Sequence, residues 1–281
     1  MFGRFGYGMF EGLVFVFLLC GAGVAWSQTY EGYIVKSYEF LERGELLAAE
    51  ECLCGAMRLE PGNPNNYALL TNLGTVQRRQ GKLEEAVVSY TAALGRRPDD
   101  VVVLDNRASL YAEMGETEKA IADYSLLLAN SPLDKEAFYS RGILYLRMGD
   151  FMRAEADFER LLELDAESVR GRLGHALLEK ARGNYDMSER IYNYLIDRLP
   201  RDWTLYEGRA DLYFRMGKNA RAMADISRVF AETEPDAGMY VLRGKVKLAL
   251  YEREPARKDF LKAGELGYDA EIIEGLLLMT R

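Results

Sequence analysis

Apolar residues recur with helical spacing in paired segments along most of the chain. Leu104, Ala108 and Tyr111 stand at positions i, i+4 and i+7 ahead of Gly115, and the same spacing begins again at Ala120. This spacing places an apolar stripe along one side of a helix. Glycine lets the chain turn between two such helices at little steric cost. The pattern therefore predicts helical hairpins in which each helix carries an apolar stripe.

The hairpin pattern repeats every 34 residues. Five glycines follow one another at this interval: Gly81, Gly115, Gly149, Gly183 and Gly217. Pro98 and Pro132 share the interval. One hairpin cannot bury its stripes alone, so neighbouring hairpins must stack into a solenoid. The sequence predicts an all-α solenoid of about seven hairpins, at 30–63, 67–100, 101–134, 135–168, 169–202, 203–236 and 237–270.

A short apolar segment follows the seventh hairpin, at residues 271–281. It carries Ile272, Ile273, Leu276 and Leu277, which would lie on one side of a helix. The exposed end of a solenoid needs such a cover. The segment is predicted to cap the last hairpin, and a docking helix for a second subunit is the alternative.

Each 34-residue unit resembles the tetratricopeptide repeat, a family whose pattern places large, small and proline residues at fixed positions. The unit 67–100 matches that pattern through Leu70, Leu73, Gly74, Ala86, Tyr90, Ala93 and Pro98. The resemblance implies a right-handed superhelix whose concave groove is lined by the first helix of every hairpin. It also implies a function in binding peptides or other proteins.

The unit 169–202 departs most from the others. In the phase that the other repeats share, three core sites hold polar or charged residues: Arg172, His175 and Glu179. Moving the register so that Leu173 and Gly174 form the large–small pair restores an apolar order with Leu177, at the expense of a turn two residues longer before Gly183. We favour this shifted register, with the shared phase as the alternative. His175 is interpreted as a structural residue.

Two polar positions vary together among the repeats. Counted from the first residue of each unit, position 7 is arginine and position 23 is aspartate in the same four units. These combine Arg107 with Asp123, Arg141 with Asp157, Arg209 with Asp225 and Arg243 with Asp259. Where position 7 is Leu73 or His175, position 23 is Ser89 or Ile191. A guanidinium can pair with a carboxylate through two hydrogen bonds. We predict a structural ion pair across each of the four hairpins, with pairing between adjacent hairpins as the alternative.

The family resemblance also implies which side chains face the groove. Thr71 and Thr75 would make an early, polar stretch of it, where the carboxylate clamp of some family members needs Lys and Asn. A central patch is predicted to bind an extended or helical segment of another protein, with Arg147 and Arg215 as its polar flanks. Its members are Tyr139, Ile143, Leu146, Arg147, Leu173, Leu177 and Arg215. Burial of these side chains by tight coiling of the solenoid is the alternative.

Residues 1–27 have the pattern of a secretory signal peptide. Arg4 precedes an apolar run from Leu13 to Ala25, and Ala25 and Ser27 are small residues where a signal peptidase cuts. Glu11 interrupts the longer apolar stretch that an uncleaved membrane anchor needs, so cleavage is the favoured interpretation. The chain is predicted to be exported, to the periplasm in a bacterium and otherwise to the exterior. It would touch a membrane only if the segment is retained as an anchor.

Composition excludes several kinds of chemistry. The 281 residues contain 36 Lys and Arg against 44 Asp and Glu, a net charge of −8, which opposes binding of nucleic acid. One His and three Cys leave few ligands for a metal, and the chain has no phosphate-binding loop and no H-E-x-x-H motif. We expect a non-enzymatic scaffold that uses no cofactor. Binding of glycans or cell-envelope polymers is the alternative, and an enzyme is less favoured.

Overall fold

A computed structural model describes residues 29–281, in which every regular element is an α-helix. The predicted signal peptide, 1–27, lies outside the described residues. Helices α1 to α14 have 13 or 14 residues each, and the shorter α15 follows them. The helices are α1 Tyr30–Glu42, α2 Leu46–Leu59, α3 Asn66–Arg79, α4 Leu83–Arg96, α5 Val101–Glu113, α6 Thr117–Asn130, α7 Lys135–Arg147, α8 Phe151–Leu164, α9 Val169–Arg182, α10 Tyr185–Arg198, α11 Trp203–Arg215, α12 Asn219–Glu232, α13 Ala237–Ala249, α14 Arg253–Glu265 and α15 Ala270–Leu278.

The chain divides into two compact units, residues 1–148 and 149–281. The first is described from residue 29 and contains α1 to α7. Its core includes Ile34, Leu53 and Val76, which are at most 4% exposed. The second unit contains α8 to α15, and its core includes the fully buried Leu205 and Ile226. In both units the core lies between successive helices, as the apolar stripes require.

The recurrent glycines make the turn between the two helices of a pair. Gly115 has φ +77°, in the left-handed region that side chains with a Cβ rarely adopt. The amide of Glu116 then donates to the carbonyl of Tyr111 at 2.8 Å, which closes the end of α5. Asp100 caps the other end of α5, because its carboxylate accepts from the amides of Val102 and Val103. Glycine is therefore a backbone requirement at these turns.

The shifted register favoured for 169–202 is wrong. Gly183 has φ +83°, and the amide of Asn184 donates to the carbonyl of Glu179 at 2.8 Å, so the turn has the same form as the turn at Gly115. Gly174 lies against the ring of Phe158, sixteen residues earlier, as Gly208 lies against Tyr192 in the next repeat. The shared phase therefore continues through this unit. The contact that decides it comes from the preceding helix α8.

Helix α15 covers the apolar end of the last helix pair. Its inner side buries Ile273 and Leu276 in one cluster with Phe260 and Ala263 of α14. Its outer side leaves Ile272 49% exposed. The observed helix ends at Leu278, three residues before the end of the predicted segment 271–281. From residue 29 onward, the longest and most apolar helices still fall short of what a membrane crossing requires.

Candidate functional site

Three of the four predicted Arg and Asp pairs form two parallel hydrogen bonds within one helix pair. Arg107 Nε lies 2.7 Å from Asp123 Oδ2, and Arg107 Nη2 lies 2.8 Å from Oδ1. The corresponding distances are 2.8 and 2.9 Å for Arg209 with Asp225, and 2.9 and 2.6 Å for Arg243 with Asp259. Hydrogen bonding to the Asp123 carboxylate raises the pKa of Arg107. Because the carboxylates are largely buried, the pairs hold the two helices together.

The same arginines also reach the preceding helix pair. In three arginines, Nη1 donates a hydrogen bond to a side chain of the preceding helix pair. Arg107 donates to Thr91 at 3.0 Å, Arg141 to Ser125 at 3.0 Å, and Arg209 to Asn193 at 2.6 Å. All three acceptors stand sixteen residues before their arginine. In Arg107 and Arg209, one guanidinium therefore pairs with the aspartate of its own hairpin and also donates to the preceding hairpin. In the fourth predicted pair, Arg141 belongs to the first unit and Asp157, which is buried, to the second.

Helix α7 carries the first part of the predicted partner-binding patch. Tyr139, Ile143 and Leu146 are half-buried and stand at i, i+4 and i+7, and we call them the α7 row. Burial raises the pKa of the Tyr139 hydroxyl. Arg147 is exposed at the end of the row. The buried residues of the same helix are Ala137, Phe138, Gly142, Leu144 and Tyr145. Helix α7 therefore has a buried side and a half-exposed apolar side.

The second part of the patch lies on α9 and α11. Leu173 is half-buried and packs against the buried cluster of Ala176, Tyr192 and Leu212, so it contributes to the core of the second unit. Leu177 is half-buried. Arg215 Nε donates to Asp211 Oδ2 at 3.0 Å.

Asp211 joins α9 to α11. Its Oδ2 also accepts from Lys180 Nζ at 2.8 Å. Burial would raise the pKa of Asp211, but the hydrogen bonds from Lys180 and Arg215 outweigh it and lower that pKa. Arg215 thus takes part in an ion-pair network within the second unit.

The expectation that Thr71 and Thr75 face the groove is wrong. Both threonines are buried, at 0% and 8% exposure. Thr71 Oγ1 donates to the carbonyl of Tyr67 at 2.9 Å, and Thr75 Oγ1 is hydrogen-bonded to the Tyr90 hydroxyl at 3.0 Å. Helix α3 buries residues on most of its circumference, from Asn66 to Gln77. Neighbouring side chains therefore cover these two hydroxyls, and a ligand in the groove would not reach them.

Residues 29–281 hold no group of three or more His, Cys, Asp or Glu side chains placed to bind a metal ion. Cys52 and Cys54 are free thiols, and burial raises the pKa of both. Burial also lowers the pKa of His175, so its imidazole is mainly neutral at pH 7.

Comparison with protein families agrees with this architecture. A family model described as tetratricopeptide repeat matches residues 35–101, 106–169, 139–186 and 173–237. These ranges span more than half of the chain. The chain belongs to the tetratricopeptide repeat family.

Two solved structures resemble most of this chain. A crystal structure of a tetratricopeptide repeat protein from Parabacteroides merdae ATCC 43184 is 62% identical, with a TM-score of 0.86 over 89% of this chain and 98% of that one. The APC/C hetero-tetramer Cut9-Hcn1 has a chain that is 11% identical, with a TM-score of 0.64 over 89% of this chain and 55% of that one. The second likeness shows the fold alone. The predicted fold class, an all-α tetratricopeptide repeat solenoid, is confirmed.

A curated relative matches a smaller part. RNA polymerase II-associated protein 3 of Rattus norvegicus is 34% identical over 114 residues, which are 38% of this chain. The match spans 17% of the length of that relative. Part of this chain is therefore similar to a short segment of that protein.

One recurrent contact of this tetratricopeptide repeat chain was not predicted from the sequence. In three repeats, a glutamate at the same position of the second helix forms an ion pair with a basic residue near the turn of the next repeat. The pairs are Glu50 with Lys82 at 2.8 Å, Glu155 with Arg182 at 2.7 Å and Glu189 with Lys218 at 2.7 Å. The hydrogen bond from Lys218 lowers the pKa of Glu189. The sequence contains a signal for this contact. Glu155 and Glu189 are 34 residues apart, and each is followed by a basic residue near the turn of the next unit.

Proposed function

We propose that this chain is a non-enzymatic scaffold that holds a segment of another protein against the first helices of its repeats. In the first unit the proposed contact is the α7 row with Arg147. In the second unit the proposed contacts are Leu173, Leu177 and Arg215. Tetratricopeptide repeat proteins generally mediate protein–protein interaction, and the family membership supports this function.

The α7 row is the observation that carries the proposal. Its three apolar side chains have the spacing that an amphipathic helix or an extended segment can contact with several side chains of its own. They remain half-exposed although the other side of α7 is fully used by the core. Removing their remaining exposed surface from water would favour association. Arg147 at the end of the row favours a partner segment in which an acidic residue flanks the apolar ones.

Solved structures support a binding role without naming the partner. The Cut9-Hcn1 hetero-tetramer shows that a chain with this fold forms part of an assembly with a different protein. The partner of the present chain is proposed only by its chemistry, as an apolar segment with an acidic flank.

The test compares two double substitutions. Tyr139→Asp with Leu146→Asp places two charges in the α7 row, whereas Leu47→Asp with Val88→Asp makes the same change at exposed positions of α2 and α4, which are 66% and 68% exposed. A partner captured by the wild-type chain from native extract should be lost with the first variant and retained with the second. Both variants should keep the wild-type helical circular dichroism.

A folded Tyr139→Asp, Leu146→Asp variant that still captures the same partner would contradict the proposal. Leu146→Asp alone separates binding from folding, because it leaves Tyr139 in place. A partner bound through the row should be captured at least tenfold more weakly by this single variant, since an unpaired charge in an apolar contact costs about 1.4 kcal/mol or more.

We also propose that the protein acts in an exported compartment. The support is the pattern of residues 1–27, with its positive start, apolar run and small residues at 25 and 27. Mass spectrometry of the protein isolated from its native cells tests this proposal. A mature chain that starts at Trp26 or Gln28 is expected, and a chain that retains residues 1–25 would contradict cleavage.

A further inference from the structure

The repeat 169–202 interrupts the series of Arg and Asp pairs and contains a cavity at the same place. Positions 7 and 23 hold His175 and Ile191 here, whereas the next repeat has Arg209 and Asp225. The cavity lies among α8, α9 and α10 and has a volume of about 380 Å³. Its lining residues are Leu162, Arg172, His175, Arg190, Ile191 and Tyr194, and we call it the α9 cavity. Two of its lining residues, His175 and Ile191, stand 34 residues before Arg209 and Asp225, at the positions that the pair takes in the neighbouring repeat.

The other repeat that lacks the pair compensates for it differently. In 67–100, position 7 is Leu73, which is buried, and position 23 is Ser89, which donates to Gln77 at 2.6 Å. The loss of the ion pair is therefore matched there by apolar packing and a neutral hydrogen bond. In 169–202 the imidazole of His175 is shorter than an arginine side chain, and both His175 and Ile191 line the α9 cavity.

Two arginines line the α9 cavity and retain unused hydrogen-bond donors. Arg172 Nη2 donates to the carbonyl of Ala166 at 2.7 Å, but its buried Nε meets no acceptor among residues 29–281. Arg190 is exposed, and no described side chain or backbone group pairs with it. A buried donor without an acceptor is costly, and an anionic ligand would supply the acceptor.

The acidic groups near the cavity are mostly paired already. Glu167 lies 3.6 Å from Arg172 but 2.8 Å from Arg198, which is its closer partner. Glu155 and Glu179, which face His175, are both bound by Arg182, at 2.7 and 3.0 Å. The exposed Glu159 also acts on His175. The two lining arginines therefore leave the cavity favourable for a negative charge.

The remaining lining of the α9 cavity is apolar. Leu162 and Ile191 are half-buried, and the guanidinium of Arg172 stacks over the ring of Tyr194 at 4.7 Å from its centre. A volume of about 380 Å³ is at the lower end of the range that small-molecule sites have, and it fits a single aromatic or branched side chain. Apolar walls with convergent cationic donors select a ligand that combines both characters.

We propose that the α9 cavity binds a carboxylate carried on an aromatic or branched aliphatic group. The source of this chemistry is either the C-terminal residue of a peptide or a free aromatic acid. The site lies wholly within the second unit and shares no residue with the α7 row. Its failure would leave the proposed scaffold function unaffected, and the reverse also holds.

Isothermal titration calorimetry with the full chain tests the chemistry directly. The probe is N-acetyl-L-phenylalanine, and its control is the uncharged N-acetyl-L-phenylalanine amide. The acid should bind at least about tenfold more tightly than the amide, because only the acid accepts charge-assisted hydrogen bonds. The peptide Gly-Gly-Phe with a free C-terminus identifies the source, since tighter binding than the acetylated residue favours a peptide and weaker binding favours a free acid. No heat of binding at millimolar acid, or equal affinity for acid and amide, would overturn the proposal.

Variants locate the binding in the α9 cavity. Arg190→Gln removes a charge without breaking a pair and should weaken the acid about tenfold, whereas Arg228→Gln makes the same change at an exposed position of α12 and should not. His175→Arg with Ile191→Asp rebuilds the ion pair of the neighbouring repeat, fills the cavity and should abolish binding. Its circular dichroism should match the wild type. Undiminished binding by this folded variant, or an equal loss with Arg228→Gln, would place the ligand elsewhere and refute the assignment.

Discussion

The pair of Arg209 and Asp225 should be one of the strongest single interactions in the second unit. The Arg209 side chain is 12% exposed and the Asp225 side chain 4%, and two hydrogen bonds of 2.8 and 2.9 Å join them. A third bond of 2.6 Å ties Arg209 to Asn193 of the preceding repeat. Removing one partner of such a buried pair leaves an uncompensated charge, which costs about 3–5 kcal/mol.

A double-mutant cycle with Arg209→Met and Asp225→Asn measures the interaction. Each single substitution should lower the free energy of unfolding by about 3 kcal/mol, and the double substitution should cost less than the sum by at least about 1.5 kcal/mol. The matched control is Arg78 with Glu113, joined at 2.7 Å but 32% and 44% exposed. Solvent screens that pair, so its coupling should be about 0–1 kcal/mol.

The assay is urea unfolding followed by both circular dichroism and tryptophan fluorescence. Trp203 begins the helix that carries Arg209. The chain has one other tryptophan, Trp26, and replacing it with Phe makes the fluorescence report on the region of Trp203 alone. A local reporter matters because repeat arrays can unfold in parts. A coupling energy for Arg209 and Asp225 no larger than that of the exposed control would refute the reasoning that burial makes this pair strong.

Two further predictions concern the turns and the contacts between repeats. Gly115→Ala should destabilise the chain by about 1 kcal/mol because φ is +77° there. Gly95→Ala, inside α4 where an added Cβ meets no atom within 4 Å, should stabilise it by up to about 0.5 kcal/mol. Thermal melts that rank the two variants the other way would contradict this expectation. Hydrogen bonding to Lys218 lowers the pKa of Glu189, so its stabilising contribution is present above the unfolded-state pKa and is lost as pH falls through the folded-state pKa. Glu189→Gln should therefore lower the melting temperature at pH 7 and reduce its fall on acidification, and parallel curves for the two proteins would refute this role.

The contacts that could be predicted from the sequence are those that lie within one repeat and recur. Arg107 and Asp123 stand sixteen residues apart on the two helices of one hairpin, so their covariation among repeats reflects a short-range geometry. The turn glycines were equally predictable, because the left-handed conformation at Gly115 excludes most other residues locally. Both features depend on neighbours that the chain itself places nearby.

The contacts that could not be predicted depend on the adjacent repeat. The register of 169–202 follows from Phe158 of the preceding helix lying against Gly174, and the apolar order within α9 alone suggested a different phase. Thr71 and Thr75 occupy groove positions in the family pattern, yet their neighbours bury them. In each case burial is a property of two surfaces, and one helix describes only one of them.

The sequence by itself determined the length of the repeat, the all-α class, the positions of the turns and the identity of the paired arginines and aspartates. These follow from backbone geometry and helical spacing, which act over a few residues. Only the tertiary structure decided that three of the four arginines also donate to the preceding repeat, that Leu173 contributes to a core, and that the repeat without the pair has a cavity lined by His175 and Ile191. The physical reason is that a void is defined by atoms missing from several helices at once, and no single segment of sequence records it.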